Sequence, residues 1–204
     1  RITIDDVVDV IREEAEKDYQ LISGITADVE SSDKVFQLTR ARLPWLLIGL
    51  LGGILAAMVI GNYEEDLNFH PEMAFFIPLV AAMGGNVGIQ SSSIIVQGLA
   101  NNSLGIESTR RKLMKEFSVG AMNGLICSVI LFGVNILIDE TFALTVSVSI
   151  SLFIVIIFAS LFGTFIPLTL NRLKIDPALA TGPFVTTLND IIGIKQKSNS
   201  KNLI

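Results

Sequence analysis

The sequence predicts an all-α membrane protein. It has five transmembrane helices per protomer, preceded by an amphipathic cytosolic helix, and the second transmembrane helix is broken at a Gly-rich segment. Three observations predict it. Hydrophobic residues make up 50% of the 204 residues and the mean hydropathy is +0.60, too apolar for an ordinary soluble domain. The apolar residues gather into five stretches, Leu43–Gly61, Met73–Ala100, Phe117–Ile138, Phe142–Leu170 and Ala178–Ile194. A bilayer needs about 20 such residues, and only the last stretch is marginal in length. Finally, basic residues sit in alternate connections: Arg40 and Arg42, then Arg110–Lys115, then Arg172 and Lys174. Residues 62–71 and 139–141 have none, so the positive-inside rule places the N-terminus in the cytoplasm of a cell (inner or plasma) membrane protein.

This divides the chain into a cytosolic helix with an interfacial segment (1–42), a transmembrane domain (43–194) and a polar tail (195–204). The net charge of −5 hides the segregation: acidic residues cluster in the first 33 residues and in Tyr63–Glu72. No basic face for nucleic acid is present. The single cysteine, Cys127, excludes an intrachain disulfide, and the first apolar run begins too late for a cleavable leader.

The first element has Thr3 as an N-cap, with Asp6 three residues on as in a capping box. Ile4, Val7, Val8, Ile11 and Ala15 form an apolar stripe at helical spacing. Asp5, Asp6, Asp9, Glu13 and Glu16 fall on the opposite side, within roughly a third of the circumference. Such a face is either simply solvated or a low-affinity surface for a hard divalent cation, which takes carboxylate oxygens. Ser23-Gly24 ends this helix, and Ser31–Arg42 forms a short interfacial helix leading into the first span. Trp45 stands near the start of that span, where an aromatic anchor suits the interface.

The second span, Met73–Ala100, contains no Lys, Arg, Asp or Glu, yet its centre reads Gly84-Gly85-Asn86-Val87-Gly88, followed by Gln90 and three serines. Each glycine weakens a helix by roughly 1 kcal/mol. A break here must face a bundle interior or a water-filled cavity, because lipid leaves backbone groups unpaired. The alternative is that the glycines only let helices pack closely. In the third span, Asn123 and Asn135 are expected as interhelical hydrogen bonders. Asp139–Thr141 is a tight turn, and Pro167 is expected to bend the fourth span.

PLVAAMGGNVGIQSSSIIVQGLA (residues 78–100) resembles the second transmembrane helix of the MgtE family of magnesium channels and transporters. DPALATGPFVTTLNDIIG (176–193) resembles the start of that family's fifth helix, and TIDDVVDVIREEAEKDYQ (3–20) its connecting "plug" helix. The resemblance runs to about Gly193. It implies a homodimeric pore for passive, electrochemically driven Mg2+ entry. It also implies soluble N-terminal and CBS domains, absent from this sequence, against which magnesium would hold the acidic helix. Without them, gating by cytosolic magnesium is expected to be weakened. The Lys-rich tail departs from the family pattern, in which apolar residues follow the Asn-Asp motif.

Asp190 is expected to be the only carboxylate inside a membrane-length segment. Such a charge costs at least ~2.5–3.5 kcal/mol near the bilayer centre and is functional by default. The bland alternative is a helix-end charge at the outer interface. In the family the matching Asp holds the pore magnesium site. The resemblance thus implies that Asp190 of two protomers flanks a hydrated Mg2+. Asn86, Gly85, Gly88, Gln90, Thr187 and Asn189 would contribute a second layer of oxygens around its water shell. Glu64, Glu65 and Asp66 are either a solvated loop or a cation-concentrating outer mouth. His70 lacks companion ligands, and no nucleophile–base pair suggests an enzyme. Two other function classes compete: an ion-coupled secondary transporter of another solute, and a non-transporting membrane anchor.

Overall fold

The computed structural model describes residues 3–25, 29–101 and 108–177; the expected fifth span and tail lie outside them. Helix α1 (Ile4–Ile22) begins with the capping box expected of Thr3 and Asp6. The Thr3 N–H and hydroxyl both donate to Asp6 Oδ2 at 2.7 Å, and the Asp6 N–H returns a bond to Thr3 Oγ1 at 3.3 Å. The chain leaves the helix at Gly24, whose φ of 77° favours glycine.

Helix α2 (Val35–Gly61) differs from expectation at its start. The interfacial segment and the first span form one helix that continues through Pro44. Its buried positions, Ala41, Trp45, Gly52 and Ala56, share one face. Trp45 is therefore packed inward, not displayed as an interfacial anchor. Short α3 (Glu64–Phe69) and a 3-10 turn (Pro71–Phe76) lead into α4 (Ile77–Ala100).

The expected break in α4 is not found: the helix runs unbroken through Gly84–Gly88. Energetics explain the difference. Keeping three glycines helical costs roughly 1 kcal/mol each, whereas every backbone group freed in lipid costs several. The glycines instead admit a neighbour, since Gly84, Gly85 and Gly88 are all buried.

Helix α5 (Thr109–Leu137) begins two turns before the expected Phe117, so Arg110–Glu116 is helical. A turn with Asp139 at φ 62° returns the chain into α6 (Phe142–Arg172), the central element among those described. Helix α5 packs antiparallel along α6: a Cβ on Gly120 would lie 2.9 Å from Ser160 Cβ, and one on Gly124 3.1 Å from the Phe153 ring. Small residues here let the helices approach closely. Leu131, Leu144, Val148, Leu152 and Ile156 form the buried core, and Met73, Phe76, Val80, Met83 and Val87 pack on it from the α4 side. Farther along, Gly88 meets Gly163, so α4 and α6 run parallel. Arg172 Nη2 donates to Thr109 Oγ1 at 2.7 Å, tying the end of α6 to the start of α5. Four helical stretches, Val35–Gly61, Pro71–Ala100, Thr109–Leu137 and Phe142–Arg172, are long and apolar enough to cross a membrane.

Candidate functional site

Helix α4 has two unlike faces. Gly84, Gly85, Gly88, Ser91, Ser92, Ile95, Val96 and Gly98 are buried. On the opposite side Asn86, Gln90 and Gln97 are exposed and Ser93 is half-buried. At 100° per residue these four polar side chains fall within about 60° of arc, one above the other along the helix. A lipid-facing surface should be apolar, so a polar stripe on a membrane helix marks a surface meant for protein or water. The four side chains offer three amides and a hydroxyl and no charge. They can bind a hydrated cation only through oxygens directed at its water shell.

The structure divides the set expected around the cation. Asn86 and Gln90 lie together on the exposed stripe. Gly85 and Gly88 are buried on the other side of α4, where Gly88 abuts Gly163 of α6. The glycine-rich segment thus does two jobs by face: close packing behind, polar display in front. Asp190, Asn189 and Thr187 lie outside the described residues.

On α1, Asp5, Asp6, Asp9, Glu13 and Glu16 are all exposed. Asp6 and Glu16 are engaged within the helix. Asp6 is in the capping box, where the Thr3 hydroxyl first and its N–H second hold the carboxyl below its ordinary range. Glu16 pairs with Arg12 at 3.0 Å. Among the described residues no group of three or more His, Cys, Asp and Glu is placed to hold a metal ion. His70 Nδ1 lies 3.2 Å from Glu72 Oε1, an exposed pair beside the 3-10 turn.

Sequence reasoning missed Glu116. It directly precedes the third span read from hydropathy, Phe117–Ile138, yet α5 carries it as part of one helix of membrane-spanning length. Glu116 Oε1 accepts from Ser91 Oγ of α4 at 2.5 Å and from Ser160 Oγ of α6 at 2.7 Å. A signal was available: Glu116, Gly120, Gly124 and Ser128 recur every fourth residue, the spacing of one closely packed helix face. Asn123 and Asn135 also depart from expectation. Asn123 is exposed. Asn135 is wholly buried, and neither its Nδ2 nor its Oδ1 has a hydrogen-bond partner among the described residues.

Residues 77–195 match the MgtE family, described as a divalent cation transporter. Over 193 residues, 95% of this chain, the sequence is 35% identical to the "Magnesium transporter MgtE" of Bacillus subtilis (strain 168). It is likewise 35% identical over 195 residues to the protein of that name from Thermus thermophilus, and 32% identical over 193 residues to that from Enterococcus faecalis. The chain spans 42–43% of the length of these relatives.

Proposed function

From the premise that this chain belongs to the MgtE family of divalent cation transporters, we propose that it forms the pore of a magnesium channel. Transport is passive and driven by the electrochemical gradient. One observation carries the reading: the exposed stripe of Asn86, Gln90, Ser93 and Gln97 along the uncharged, largely apolar α4. Neutral oxygens stacked along one face suit a cation that keeps most of its water, as magnesium does. They hold the shell without stripping it, so the ion can leave as readily as it enters.

Charge selectivity is assigned to Asp190. With two copies of the chain, paired Asp190 carboxylates flank one ion, while Thr187 and Asn189 complete its surroundings. A homodimer thereby supplies two negative charges to a divalent cation. The basic connections favour an N-terminus and α1 on the cytoplasmic side of the cell membrane. On α1 the exposed Asp5 and Asp9 suit a regulatory magnesium that bridges to another body, the cytosolic domains that the family resemblance implies. The unbroken α4 speaks against the rival secondary transporter where its solute is an anion, because this helix offers no half-helix N-terminus at mid-membrane.

Magnesium uptake into proteoliposomes tests the proposal, with Asp190→Asn beside the unaltered chain. Gradient-driven uptake that falls at least about tenfold in the variant is expected from the loss of charge at an intramembrane site. Equal uptake by both would remove Asp190 from the ion site, and no uptake by either would leave the anchor reading.

A further inference from the structure

Glu116 joins three helices at one atom. Ser91 Oγ of α4 and Ser160 Oγ of α6 both donate to its Oε1, at 2.5 and 2.7 Å. Ser160 Oγ also lies 3.2 Å from the Glu116 carbonyl oxygen. The carboxylate stands seven residues into α5, about 10 Å from its start at 1.5 Å per residue. Glu116 is half-buried among α4, α5 and α6, and a carboxylate withdrawn from water needs partners, because an unpartnered one is expensive in an apolar setting.

The choice of partner is informative. Serines and threonines in membrane helices commonly satisfy themselves on the carbonyl four residues back. Ser118, Ser151 and Thr169 do this, donating to Met114, Ser147 and Phe165. Ser91 and Ser160 turn across to Glu116 instead. Ser91 follows Gln90 of the polar stripe, and its Cβ would lie 3.0 Å from a Cβ on Gly163. The carboxylate therefore grips α4 beside its closest approach to α6, on the face opposite the stripe.

We propose that Glu116 is a positioning residue for transport. Its carboxylate, held by Ser91 and Ser160, sets the rotation and depth of α4 and so directs the Asn86–Gln97 stripe toward the ion path. The inference rests on the reading of that stripe as pore-lining. Acceptor geometry, rather than ion binding, is the function assigned to this carboxylate. An amide oxygen at the same position accepts from both hydroxyls, whereas alanine accepts from neither.

The test combines flux with a readout that needs none. Gln90→Cys is introduced beside Cys127→Ala, and its rate of modification by a membrane-impermeant thiol reagent reports the facing of α4. Glu116→Ala is expected to change that rate by about fivefold or more and to cut magnesium uptake about tenfold, the scale of losing charge-assisted hydrogen bonds. Glu116→Gln is expected to stay within about threefold of the parent in both. Ser91→Ala with Ser160→Ala should reproduce Glu116→Ala, and combining all three should add little, as for members of one network. The serine pair also serves where Glu116→Ala fails to fold. The inference is overturned if Glu116→Gln is as damaging as Glu116→Ala, or if the serine pair leaves the modification rate unchanged. A shifted rate in a protein that carries no magnesium would uphold the clasp and remove the transport reading.

Discussion

Gly163→Ala perturbs the contact on which the placement of α4 depends. A methyl there would meet the Gly88 carbonyl oxygen well inside van der Waals contact, with the Gly88 carbonyl carbon at 3.2 Å and Ser91 Cβ at 3.0 Å. To restore ordinary separations of about 3.5 Å, α4 must retreat from α6 by about 1 Å. The obstacle is backbone and cannot rotate away, so the cost lies near the upper end of the 1–3 kcal/mol typical of overpacking. Alanine recovers about 1 kcal/mol of helix propensity. A net loss of about 2 kcal/mol should lower the melting temperature of the detergent-solubilised protein by roughly 4–8 °C at this chain length. Gly53→Ala is the control, because a Cβ there meets nothing within 4 Å. It keeps only the propensity gain and should melt at or above the parent temperature. Equal melting temperatures for Gly163→Ala and Gly53→Ala would refute the close approach of α4 and α6. Magnesium uptake by Gly163→Ala should fall as well, since the stripe moves with the helix.

Two further outcomes follow from local chemistry. Asn135 buries an amide with no partner among the described residues, so the isosteric Asn135→Leu should stabilise the protein by about 1–3 kcal/mol; a lower melting temperature would mean that the amide is bonded after all. At the start of α1, Asp6 has a depressed pKa, so its contribution is complete above the ordinary carboxylate range and is lost as pH falls through the lowered value. Amide exchange in the first turn of α1, corrected for intrinsic pH dependence, should therefore be flat from about pH 5 to 8 and rise only below about pH 4. Thr3→Ala should speed that exchange about fivefold at neutral pH, the scale of losing an N-cap.

Much of the fold was legible because membrane spans are long and uncharged. The end of α2 at Gly61, the span of α4 to Ala100 and the start of α6 at Phe142 all fall where hydropathy places them. The errors have physical causes. Hydropathy marks only the apolar span, whereas Arg110–Glu116, rich in strong helix formers, extends the helix beyond it and brings Glu116 to serine partners on two neighbours. A carboxylate's partners in distant segments are invisible to local composition. The glycines of α4 suggested a break because propensity is read one helix at a time, whereas their use is decided by Gly163, 75 residues downstream of Gly88. Asn86 and Gln90 were legible as polar residues in a neutral span. That they align with Ser93 and Gln97 on the exposed side needed the helix to be continuous.

Ion passage as proposed requires one face of α4 to border a water-filled path. Cysteine substitution at each position from Asn86 to Gln97, beside Cys127→Ala, tests it most directly in reconstituted protein under a magnesium gradient. A membrane-impermeant thiol reagent is expected to modify the variants at 86, 90, 93 and 97 and to block their uptake, while those at 88, 92, 95 and 96 stay unmodified. Modification without that periodicity, or modification that leaves uptake untouched, would contradict it.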